Sequence, residues 1–200
     1  MAILRFSFGT MGSGKSTLAL QIHHNLASRQ LFGLLLTSRD RRGRQVSSRL
    51  GVAAPAIEVG PELDLLHLAT EHWPIHYLVC DEVQFYGVDQ VEQLARVVDD
   101  LAVDVYAFGL LTDFRGELFE GTRRMLELAD EHTPLQVEAR CWCGARATHN
   151  ARVVNGRVVR EGDTVVVGDT RVADAPPLFG DEVRYELLCR AHFRTADLGE

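Results

Sequence analysis

Between an apolar run at residues 3–8 and a helical pattern at 16–28 lies Gly9-Thr10-Met11-Gly12-Ser13-Gly14-Lys15-Ser16, and this stretch constrains the fold more than any other. It satisfies G-x-x-x-x-G-K-[ST], and a strand before it and a helix after it form the context in which that pattern is a phosphate-binding loop. Glycines let the backbone curl until successive N–H groups point inward, and the start of the helix adds its positive end. A nucleoside triphosphate held there meets Lys15 at its β- and γ-phosphates, while the Ser16 hydroxyl is placed to ligate magnesium. All eight residues are therefore nucleotide-binding candidates. Lys15 is also the only lysine of the chain, every other basic residue being arginine. A compact ammonium is thus retained at a position where a planar guanidinium would not serve.

The loop opens a longer alternation. Strand patterns at 3–8, 32–37, 76–80 and 103–108 alternate with helical patterns at 16–28, 61–72, 88–98 and 120–130. Such alternation predicts right-handed crossovers and a parallel sheet covered by helices on both faces, an α/β domain ending near residue 138. Residues 139–200 differ in texture. Val153-Val154-Asn155-Gly156-Arg157-Val158-Val159 is a hairpin signal, because Asn-Gly tolerates the positive φ angles of a type I′ turn. A β run is expected at 164–167, and the Gly-, Asp- and Pro-rich stretch 168–183 reads as a long exposed loop.

Composition narrows the function. With 200 residues and 46% apolar content, the chain can bury a real core. Its formal charge of −7 makes it unsuited as a whole to coating polyphosphate, so no nucleic-acid partner is expected. No leader and no apolar run of about 18 residues are found, which points to a cytoplasmic protein without a membrane partner. A guanine-reading Asn-Lys-x-Asp motif is excluded, because the one lysine is already in the phosphate loop. A nucleic-acid-dependent motor would need a basic path. The cluster Arg39-Asp40-Arg41-Arg42-Gly43-Arg44 is short and interrupted, and it reads either as a solvated loop or as one that closes over a triphosphate. A small-molecule kinase fits size and charge best.

Three further groups carry chemistry. The strand at 76–80 runs into Asp81, the usual place for a carboxylate that orders magnesium through its water shell, and Glu82 follows at the substrate end of a parallel sheet. Glu82 is either a general base for a hydroxyl or a solvated acid. Asp113-Phe114-Arg115-Gly116-Glu117-Leu118-Phe119 sits after another strand; its rings either cap the core or wall a pocket for a flat substrate, and Arg115 is placed to add charge at a transferring phosphate. In the tail, Cys141, Cys143, Cys189 and His192 form two pairs of soft ligands. Four such ligands suit a structural tetrahedral zinc, the alternative being free thiols in a small core.

These residues together resemble the type II thymidine kinases over nearly the whole chain. The likeness rests on the phosphate loop with Met11 inside it, on Asp81-Glu82-Val83-Gln84-Phe85, on residues 109–119, on the cysteine pair, and on Tyr185-Glu186-Leu187-Leu188-Cys189-Arg190. It implies a P-loop NTPase-type (RecA-like) α/β fold with a small C-terminal zinc-binding β subdomain and a lasso loop. It also implies phosphoryl transfer from Mg2+·ATP to the 5′-hydroxyl of thymidine, giving dTMP and ADP. By that resemblance Glu82 is the general base, and Asp81, Glu82, Val83 and Gln84 join the phosphate loop in nucleotide binding. Met11, Phe85, Phe114 and Phe119 line the thymine pocket, while Val167 and Tyr185 belong to a lasso spanning residues 165–185. Zn2+, feedback by dTTP and a homotetramer complete the expectation.

Overall fold

The computed structural model describes residues 1–38, 45–48, 50–135, 138–162 and 183–199. The chain forms two compact units, Met1–Leu111 with Phe119–Val137, and Thr112–Leu118 with Glu138–Glu200.

In the first unit the elements run β1 (Leu4–Gly9), α1 (Lys15–Ala27), β2 (Gly33–Thr37), β3 (Gln45–Ser47), β4 (Ala53–Pro55), β5 (Ile57–Glu58), α2 (Leu65–Glu71), β6 (Tyr77–Asp81), α3 (Val88–Leu101), β7 (Asp104–Leu110), α4 (Glu120–Leu128) and β8 (Glu131–Pro134). Six strands form one sheet in the order β5-β2-β6-β7-β1-β8, and every neighbouring pair is parallel. A parallel sheet is covered on both faces, so its central strands read as continuous apolar runs; all of Tyr77–Asp81 is buried. Alternate residues serve opposite layers. Leu36, Leu78 and Cys80 pack with residues of α2, α3 and α4 such as Leu68, Val91, Leu94 and Met125. Leu35, Tyr77 and Val79 pack instead with Ala19 and Leu20 of α1.

The four strands expected in the first unit are present within a residue or two of their expected limits. The helix expected at 61–72 is shorter, because the Asp64 side chain accepts the His67 N–H at 2.8 Å and starts α2 only at Leu65. The polar segment Glu131–Pro134 was not expected to be a strand. It pairs with β1 at the sheet edge, where no second face needs apolar cover and a terminal proline removes no needed donor. The small β3–β4 hairpin, β5 and the last helix also lack a periodic signal.

The second unit contains β9 (His149–Val154), β10 (Arg157–Val159), β11 (Val183–Leu188) and α5 (Arg190–Thr195). Its antiparallel sheet has the order β10-β9-β11. Asn155 and Gly156 turn β9 into β10 with φ of 48° and 77°, the positive values the sequence predicts. Cys141, Ala151, Leu188 and Phe193 form its buried core. The β run expected at 164–167, most of the 168–183 loop and the Arg39–Arg44 cluster lie outside the described residues. Among the described residues no helix is long and apolar enough to cross a membrane.

Candidate active site

Gly9 ends β1 and is in register with Leu110 at the end of β7, while Asp81 ends β6. The phosphate loop and the paired carboxylates therefore meet the same rim of the sheet, its carboxyl edge, where ligands of parallel sheets bind. The loop backbone requires its glycines. A Cβ on Gly9 would fall 2.5 Å from Ser13 Oγ and 2.8 Å from the Leu135 carbonyl, and Gly14 enters α1 with φ of 85°. Lys15 is only 7% exposed, and its ammonium donates to the Thr10 carbonyl at 2.7 Å and to Ser13 Oγ at 3.4 Å. The one lysine is thus folded into the loop that needs it.

Asp81 is 3% exposed. Burial and then the neighbouring Glu82 carboxylate push its carboxyl up to about 7, opposed by hydrogen bonds from Ser16 and from the Glu82 backbone and by the Lys15 charge. Ser16, Lys15 and Asp81 are therefore brought together as the sequence predicts. A buried carboxylate beside a serine hydroxyl and under a phosphate loop has the donor chemistry that suits magnesium.

Glu82 has φ 58° and ψ 35°, a left-handed conformation unusual for a glutamate, and it leads into a tight turn at Val83–Phe85. Its N–H donates to Asp81 Oδ1 at 3.0 Å. The Gln84 side-chain amide donates to Glu82 Oε2. Turn and strand end are locked against α4: a Cβ on Gly121 would lie 2.5 Å from the Val83 carbonyl. Of the pocket residues implied by resemblance, Phe85 and Phe119 meet edge to face with ring centroids 5.7 Å apart, both half-buried. Met11 is half-buried in the loop.

Phe114 and Tyr185 belong to the second unit, and Val167 lies outside the described residues. Asp113 builds the turn around Phe114: its Oδ1 accepts the N–H groups of Arg115 and Glu117 at 2.8 and 3.0 Å. Gly116 has φ of 88°, a conformation that favours glycine, and a Cβ there would sit tightly against the Phe193 ring at 3.1 Å. Arg115, read from sequence as charge for a phosphate, donates from Nε to Asp113 Oδ2 at 2.9 Å. Phe114 is buried with the Arg152 guanidinium 4.7 Å from its ring centroid, and Arg152 is in turn opposite Tyr185 across β9 and β11.

The four tail ligands converge. One ligand atom from each of Cys141, Cys143, Cys189 and His192 lies within 4.8 Å of the others. His192 Nδ1 is 3.3 Å from Cys141 Sγ and 3.5 Å from Cys189 Sγ, so Nδ1 is the ring nitrogen that faces the thiols. A tetrahedral ion with bonds of about 2.0–2.3 Å spans this donor set with little adjustment, and three thiols with one imidazole match zinc. The indole of Trp142 stacks on His192 at 4.3 Å, holding the ring in place.

A parallel sheet, a phosphate loop after its first strand and a carboxylate pair at the end of β6 define a P-loop NTPase-type protein. A family profile described as thymidine kinase matches residues 2–193. A protein named thymidine kinase from Streptomyces coelicolor is 55% identical, covering 97% of this chain and 89% of its own length. One of the same name from Cutibacterium acnes is 48% identical over 100% of this chain and 92% of its own, and one from Zymomonas mobilis is 40% identical over 96% of each. The chain belongs to the thymidine kinase family.

Proposed function

We propose that this chain phosphorylates thymidine, moving the γ-phosphate of ATP to the 5′-hydroxyl to give dTMP and ADP. Family membership supports substrate and donor. The observation that carries the chemistry is the Glu82 carboxylate next to the Ser16–Asp81–Lys15 group at the sheet rim. As the sugar oxygen attacks phosphorus, its O–H bond breaks and the proton passes to Glu82. A new O–P bond forms, and the bond from the γ-phosphorus to the bridging oxygen of ADP breaks. Lys15 and the inward-facing loop amides neutralise the phosphates and hold them in line. Ser16 and, through water, Asp81 would hold magnesium, which would supply further charge neutralisation when bound with the triphosphate.

For the nucleoside, Met11, Phe85 and Phe119 of the first unit offer apolar surface to thymine. The resemblance adds Phe114, Tyr185 and Val167. It also places Asp81, Glu82, Val83 and Gln84 beside the nucleotide. Residues 1–138 then carry phosphoryl transfer, and residues 139–200 carry a zinc ion on Cys141, Cys143, Cys189 and His192. No coordination position is left over for a substrate, so that metal serves structure. A cytoplasmic homotetramer inhibited by dTTP completes the proposal. The test is ATP-dependent conversion of thymidine measured beside deoxycytidine and deoxyadenosine. Phosphorylation of thymidine far ahead of both is expected, and equal turnover of all three, or none, overturns the reading.

A further inference from the structure

Gln84, which the resemblance places beside the nucleotide, is one of the most constrained polar side chains in the first unit. It is 3% exposed, and both ends of its amide are engaged within the chain. Nε2 donates to Glu82 Oε2, while Oε1 accepts the Leu110 N–H at 3.0 Å. The partners dictate this orientation. Turned over, the amide would set oxygen against carboxylate and NH2 against N–H, unfavourable at both ends. The Leu110 carbonyl is anchored in turn, accepting from the fully buried Thr122 hydroxyl at 2.7 Å. Space is as restricted as bonding: a Cβ on Gly109 would lie 2.9 Å from Gln84 Oε1 and 3.0 Å from Val83 Cγ2. The Glu82 carboxylate at the end of β6 is therefore tied, through one buried amide, to the end of β7.

We propose that Gln84 is a positioning residue for phosphoryl transfer: it holds Oε2 of Glu82 and so leaves Oε1 to take the hydroxyl proton. The inference rests on the reading of Glu82 as general base. Among the described residues no other hydrogen bond reaches that carboxylate. Without the amide a glutamate with several free torsions samples orientations in which neither oxygen meets the hydroxyl, and loss of alignment lowers rate more than binding. A nucleotide-contact role makes the opposite demand, since it requires a polar end of the amide to be available to ligand.

Single-turnover phosphorylation of thymidine tests this with Gln84→Met, which keeps the volume and removes both hydrogen bonds. A fall of roughly 10- to 100-fold is expected, with dissociation constants for ATP and thymidine within about threefold of wild type. In a Glu82→Gln background the same substitution should change the residual rate by less than about twofold, because there is no base left to position. An equal loss in both backgrounds, or weakened ATP binding with an unchanged rate, overturns the proposal. Full activity of Glu82→Gln alone overturns the base reading first, and so separates the two failures. Gln84→Leu, which also removes both hydrogen bonds without adding a charge, replaces Gln84→Met if that variant does not fold, with the same rate loss expected. In wild-type protein carrying 15N glutamine side chains, the Gln84 amide protons should exchange slowly and shift on Glu82→Gln; free exchange also overturns the proposal.

Discussion

The two ligand groups of this chain are held by opposite means. The phosphate loop is mainly backbone, set at the ends of strands whose side chains reach apolar layers on both faces of the sheet. The cysteine group is four side chains on turns and a short helix, beside a small cluster that among the described residues is centred on Cys141, Ala151, Leu188 and Phe193. A site of the first kind inherits its rigidity from the fold. A site of the second kind must supply rigidity to its surroundings, because so small a core does not offset the entropy of ordering the chain.

Removing the metal should break the comparison most visibly. Structural zinc contributes on the order of 10 kcal/mol in small metal-bound domains. Chelation, or Cys189→Ser, should abolish hydrogen-exchange protection in β9 and β11 while β1, β6 and β7 remain protected. Metal analysis should give close to one zinc per chain, and undiminished protection of β9 after chelation would reject the zinc assignment. Next in size is Glu82→Gln, with a loss of about 10²- to 10⁴-fold in kcat and near-normal binding of both substrates. Lys15→Met should lower kcat/KM by roughly 10²- to 10³-fold, since it removes one preorganised charge from the phosphates. Its melting temperature should stay close to wild type; a large fall would show that the ammonium holds the loop together rather than serving the ligand.

A smaller effect sharpens the contrast through pH. Burial and the Glu82 charge raise the Asp81 carboxyl from 3.8 to about 7. Raised in this way, the protonated form favours the folded state, so this contribution is full below 3.8 and is lost as pH climbs to about 7. On the proposed role, ionised Asp81 is the form that would hold magnesium, so the gain in melting temperature from Mg2+·ATP should be larger at about pH 8 than at about pH 6. Equal gains at both would sink the role of Asp81. The smallest effect is Ala102→Gly. Ala102 closes α3 with φ of 56°, so glycine there should stabilise the first unit by about 0.5–1 kcal/mol, read from denaturant melts.

Chemistry was more legible than boundaries. The eight-residue phosphate loop is contiguous, and its pattern carries its own geometry; the Asn155-Gly156 turn is legible for the same reason. Asp64 shortens α2 by a cap that competes with helical continuation, a choice between two locally allowed structures. β8 was invisible because an exposed edge strand has no periodicity to show. The tail ligands were recognisable by residue type, whereas the nitrogen of His192 that faces the thiols was not, since either ring atom can bind metal and only packing against Trp142 and the thiols selects one.

By itself, then, the order of residues determined a phosphate cradle, a parallel α/β unit with the paired acids after a central strand, and four soft ligands in the tail, because each depends on spacing along a few neighbouring positions. Tertiary structure alone decided that Arg115 is held by Asp113 and that one buried amide joins Glu82 to Leu110. The amide's bond to the Leu110 N–H joins residues 26 apart in the chain, and even the short-range Asp113–Arg115 pair depends on a local turn and side-chain orientations that a sequence pattern does not record.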